Sequence, residues 1–116
     1  MMHRLYWGYS SMFADHIAAI NKELTYAVGR HPHFADRFQS STTTLPTVEN
    51  LLAVARAKSD AEGKSGDSFE TTINEEVLES IEAYLKNDLD HAYQELAQCG
   101  AVILRAMEWV DTKRNQ

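Results

Sequence analysis

"FETTINEEVLESIEAYLKNDLDHAYQELAQCGAVILRAMEWV", Phe69 to Val110, decides the fold. From Ile73 it carries the glutamates Glu75, Glu76, Glu79 and Glu82, and it closes in a segment that is nearly all apolar. In the first half Phe69, Ile73, Val77, Ile81, Tyr84 and Leu85 recur at helical spacing, which predicts a helix from about Phe69 to Lys86, capped by Asp67 or Ser68. In the second half Leu89, Tyr93, Leu96, Gly100, Ile103, Met107 and Val110 share a face, which predicts a helix from about Leu89 to Val110. "KNDLD" is a tight turn, and so short a connection makes the two helices antiparallel neighbours.

Upstream, Phe13, Ile17, Ile20, Leu24, Ala27 and Val28 predict a helix from about Ser10 to Gly29, stopped by Gly29 and Pro32. "RHPHFADRFQSSTTTLP" shows no sustained alternation and reads as a loop. Thr44 followed by Pro46 marks a helix start, and Val48, Leu51, Leu52 and Ala55 carry that helix from about Pro46 to Ala61. "DAEGKSGDS" is a connector with Gly63 and Gly66. No strand is needed, so the expected fold is a single all-α domain over residues 1–116, resembling a four-helix bundle.

At 116 residues the chain can bury most of one core but falls short of a multi-domain enzyme, and a large active site would call for a second subunit. Eleven Lys and Arg against 17 Asp and Glu give a net charge of −6, which argues against nucleic acid as a partner and favours a cation or a cation-bridged anion. One cysteine, Cys99, excludes an intrachain disulfide and suits a reducing compartment. The start, "MMHRLYWGYSSMF", lacks the apolar run of a signal peptide, and no segment has the ~20 apolar residues of a membrane span, so a cytoplasmic protein is expected.

The glutamates follow a register. With the third helix centred on Val77, Glu76 falls at about −100° and Glu79 at about −160°; with the fourth centred on Leu96, Glu95 and Gln98 fall at the same two angles. Glu76 and Gln98 lie equally far along the chain from Asn87, as do Glu79 and Glu95, so a turn pivoting there brings four oxygen-bearing side chains together. Gathered carboxylates repel and raise one another's pKa, and a divalent cation reverses that balance. Hard oxygen ligands suit Mg²⁺ or Mn²⁺, which keep waters and recruit substrate phosphates. Glutamates at i, i+3 are also ordinary solvated flank residues, and Glu75 can close a capping box with Thr72 if the helix starts late.

"EEVLE" followed by "ELAQ" on the next helix resembles the MazG-like all-α nucleoside triphosphate pyrophosphohydrolases, whose signature is EExxE followed by ExxD. The resemblance covers roughly residues 69–110 and implies Mg²⁺ held by Glu76, Glu79, Glu95 and, in the fourth place, Gln98, which departs from the pattern because an amide brings no charge. It also implies a nucleotide substrate, cleavage between its α and β phosphates, and a homodimer or homotetramer. A metal would lower the pKa of an attacking water while Glu75 or Glu79 accepts its proton. Arg30, Arg37, Lys64 and Lys86 are the cations available to substrate phosphates.

Other constellations are weaker. His31 and His33 lack the cysteines or the H-E-x-x-H frame of a zinc site, Asp88 and His91 sit where a helix cap is expected, and Tyr6, Trp7 and Tyr9 are packing aromatics. Apolar residues occupy nearly every direction of the fourth helix from Ala97 to Val110, and the small Ala97, Gly100, Ala101 and Ala106 permit close approach of another helix. Two readings result: a Mg²⁺-dependent nucleotide pyrophosphohydrolase, or a metal-free helical oligomerisation or binding module that lost activity when the fourth ligand became Gln98.

Overall fold

Local signals account for most of the helix ends. The computed structural model describes residues 2–30, 37–63 and 67–116, with side chains from residue 13 on. The helices are α1 (Met2–Arg30), α2 (Leu45–Glu62), α3 (Phe69–Leu85) and α4 (Leu89–Arg114), and there is no strand among the described residues, so the chain is all-α. None of these helices is long and apolar enough to cross a membrane.

α1 starts at Met2 rather than near Ser10, and α4 ends at Arg114 rather than Val110. Apolar periodicity marks only the part of a helix that buries a face; the flanking residues contain no proline and continue the helix on propensity. Lys113 and Arg114 in the last turn of α4 also suit the negative end of its dipole.

α2 begins after Thr44, whose extended backbone (φ −110°, ψ 167°) precedes Pro46 in the first turn, where a missing N–H costs nothing. Gly63 ends it at φ 53° and donates its N–H to the Asp60 carbonyl. Ser68 caps α3 by accepting the Thr71 N–H at 3.2 Å, while Glu62 at the end of α2 accepts from the Ser68 N–H at 2.9 Å and from the Thr71 hydroxyl at 2.9 Å. One carboxylate thus ties the end of α2 to the start of α3, and these two helices pack together through the fully buried Val48 and Leu52 with Ala55. Because α3 starts at Phe69, Thr72 lies inside the helix and no capping box with Glu75 forms.

Asn87 lies in the short connection between α3 and α4. Its φ of 61° is left-handed, a conformation asparagine tolerates better than most residues. The Asn87 N–H reaches the Tyr84 carbonyl at 2.9 Å and the Asp88 N–H the Ala83 carbonyl at 2.8 Å, closing the helix in a Schellman pattern. Asp88 then caps α4, accepting the His91 N–H at 3.2 Å.

Two compact units result: one is Met1–Arg37 with Leu104–Gln116, the other Phe38–Ile103. In the second, the buried faces differ from those the apolar periodicity predicts. α3 buries Thr71, Ser80 and Ala83 and α4 buries Ala92, Glu95 and Cys99, whereas Phe69, Val77, Tyr84, Leu89, Tyr93, Leu96 and Ile103 are exposed. Leu51 of α2 is exposed as well. Periodicity finds the apolar face of a helix but not what covers it; on α3 and α4 the face of small side chains is the one turned inward.

Candidate functional site

Glu95 is the centre of the site. It sits nearly two turns into α4 between the buried Ala92 and Cys99, and is itself only 6% exposed. Burying a carboxylate among small apolar side chains is costly unless its charge is met. One oxygen is met: Oε1 lies 3.1 Å from His91 Nε2, so the ring donates to it from that nitrogen. The other, Oε2, is buried and has no hydrogen-bond donor.

Two glutamates of α3 face it. Glu79 is within hydrogen-bonding reach of Glu95, and its carboxyl is pushed above the ordinary value by burial, by that contact and by the Glu95 charge. Arg56 of α2 opposes this from 3.5 Å. Glu76 is likewise pushed up, by burial first and then by the charges of Glu95 and Glu75, and its Oε2 is buried without a donor. Burial and the same three carboxylates raise the Cys99 thiol, which is therefore a neutral, inert filler. Two carboxyls in contact have no donor between them unless one is protonated or a cation joins them.

Glu76, Glu79 and Glu95 of the sequence-derived set are therefore together. Gln98 is exposed on α4, and Glu75 is half-buried beside Glu76. Of the proposed cations, Lys86 pairs with Glu82 at 3.7 Å. Arg30 donates to the Tyr26 hydroxyl and lies over its ring, and both it and Arg37 belong to the other unit. Lys64, His31 and His33 lie outside the described residues, as do the side chains of Tyr6, Trp7 and Tyr9. Sequence reasoning missed Arg56 and the part His91 plays. Arg56 is on α2, which the register about Asn87 does not reach; the i, i+4 spacing of His91 and Glu95 was a legible signal.

Elsewhere, His16 Nε2 meets Glu108 Oε2 at 2.8 Å, with Asp111 beside them and held by Arg114 at 2.7 Å. Among the described residues this is the group of three whose ligating atoms all lie within 4.8 Å of one another, closer than the glutamates of α3 and α4 stand. Glu108 already has His16 as its partner, and Asp111 has Arg114. No family model matches the chain, and comparison with curated proteins and with solved structures found no match either.

Proposed function

We propose that the chain is a Mg²⁺-dependent nucleotide pyrophosphohydrolase, with Glu76, Glu79 and Glu95 as metal ligands and Mn²⁺ an acceptable substitute. The observation that carries this reading is the buried Glu95 Oε2, which has no donor yet faces two further carboxyls whose pKa values are raised. These residues suit a hard divalent cation: they supply oxygen and negative charge, and Glu76 Oε2 and Glu95 Oε2 are buried with no donor from the chain. The likeness of "EEVLE" and "ELAQ" to the MazG-like motifs supports the same substrate class.

When bound, the metal supplies neutralisation of phosphate charge and a lowered pKa for a coordinated water. The chain does the rest. In this reading Glu79 or the neighbouring Glu75 accepts the proton of an attacking water. Arg56, about half exposed beside Glu79, is the cation nearest the cluster and is available to a substrate phosphate. The small Ser80, Ala83 and Ala92 around the cluster leave little room for bulk water. A screen of nucleoside di- and triphosphates with Mg²⁺, reading pyrophosphate and phosphate separately, tests this reading. Pyrophosphate release is expected, falling about 100-fold or more in Glu79→Gln; no release from any nucleotide would overturn it.

A second reading is favoured by Gln98. It is exposed and uncharged, leaving three charged ligands rather than four, as in a helical binding module derived from such an enzyme. Under both readings the chain associates as a homodimer or homotetramer through its exposed apolar faces.

A further inference from the structure

His91 hydrogen-bonds the most buried carboxylate of the cluster from outside it. Its ring is about half exposed, whereas the Glu95 side chain it reaches is only 8% exposed. Asp88 and His91 stand at i, i+3 and His91 and Glu95 at i, i+4, so the three form a line along α4. Asp88 Oδ1 accepts the His91 backbone N–H at 3.2 Å, and Asp88 Oδ2 stands 3.8 Å from ring Nδ1, beyond hydrogen-bond distance. The ring's Nε2 meets Glu95 Oε1 at 3.1 Å.

A carboxylate on a helix can rotate about its terminal torsion, which is broad and exchanges its two oxygens. A hydrogen bond to one oxygen ends that freedom and fixes where the other points. In Glu95 the oxygen so fixed is the buried Oε2 that lacks a donor. We propose that His91 is a positioning residue that holds Glu95 in its metal-binding orientation through the Nε2 to Oε1 hydrogen bond. This rests on the metal reading of the glutamate cluster. Outer partners of this kind orient ligands and pre-organise the site, and losing one typically weakens metal affinity 10- to 100-fold. His91 touches neither substrate nor metal. Its contribution is to spare the site the cost of ordering Glu95 when the ion arrives.

The test is Mn²⁺ affinity, read by loss of the free-ion electron paramagnetic resonance signal and by calorimetry. It is made on the full chain as wild type, His91→Gln, His91→Asn and His91→Leu, each melted without metal to confirm that it is folded. Glutamine places an amide donor near the position of Nε2, whereas asparagine places it near Nδ1 and leucine has none. His91→Leu and His91→Asn are expected to bind Mn²⁺ about tenfold or more weakly, with His91→Gln within about threefold of wild type. Leucine binding as tightly as wild type, or glutamine losing as much as leucine, overturns the positioning role, whatever happens to the melting temperature. A folded wild type that binds no Mn²⁺ at millimolar concentration overturns the metal reading itself and this inference with it, an outcome distinct from the variants failing to differ.

Discussion

Glu79 and Glu76 hold raised pKa values because burial and the Glu95 charge penalise their ionised forms. Each therefore binds a proton more readily in the folded chain than in the unfolded one, where the value is near 4.5. Their contribution to stability is complete below pH 4.5 and is lost as pH rises through the folded values. Glu62 has the opposite sign: the Ser68 N–H and the Thr71 hydroxyl depress its pKa, so its contribution is present above 4.5 and lost as pH falls through the lower value. The metal-free protein should accordingly lose melting temperature from about pH 5 to pH 7.5, and Mg²⁺ should restore it at pH 7.5. Glu79→Gln removes a charge and offers Glu95 an amide donor, so it should flatten that decline. At pH 7.5 it should raise the metal-free melting temperature by about 3 °C, the equivalent of somewhat under 1 kcal/mol after allowing for solvent screening of this partly exposed group. Scanning calorimetry across that range checks all three. A wild type whose melting temperature rises from pH 5 to 7.5 without metal would show that the cluster carries no strain.

At the scale of the elements, the turn at Asn87 sets the register on which the site depends. Its φ of 61° admits glycine freely, asparagine at small cost and a β-branched residue only with strain. Asn87→Gly should leave the urea midpoint nearly unchanged, whereas Asn87→Val should lower stability by about 1–2 kcal/mol with the m-value unaltered; equal midpoints for the two would mean that the left-handed turn is not required in solution. Much of this level was legible in the sequence. Pro46, Gly63, Ser68 and Asp88 mark helix ends by chemistry local to a few residues, and equal distance from Asn87 brought Glu79 and Glu95 together. What was not legible depends on longer range. Arg56 reaches Glu79 only because α2 packs on α3, and spacing within one hairpin carries no information about a third helix. The buried faces of α3 and α4 are not legible for a related reason: the apolar stripes centre on Val77 and Leu96, whereas the chain buries Ser80, Ala83, Ala92 and Cys99.

For the whole molecule, that inversion leaves an apolar surface that one copy does not cover. Leu96 is 44% exposed, Tyr93 78% and Val54 68%, and α1 likewise exposes Ile17, Leu24 and Val28. Single exposed apolar residues are ordinary on a soluble protein, but here they recur at helical spacing on α1 and α4. Gly100 belongs to the same argument: a Cβ placed on it meets nothing within 4 Å, so its small size is not used inside one copy. A second helix laid against α4 would use it, since small residues allow close approach of helix axes. The net charge of −6 opposes association at long range, so the contact must be apolar and should strengthen with salt. Sedimentation velocity at micromolar concentration should therefore give a dimer or tetramer. Leu96→Glu, placed on the exposed stripe of α4 beside the small residues, should shift it toward monomer while leaving the caps and the turn of the α2–α4 unit intact. A wild type that sediments as a monomer at all concentrations up to about 100 µM, a regime in which a stable apolar interface is saturated, would mean that these faces are left to solvent or to a different partner.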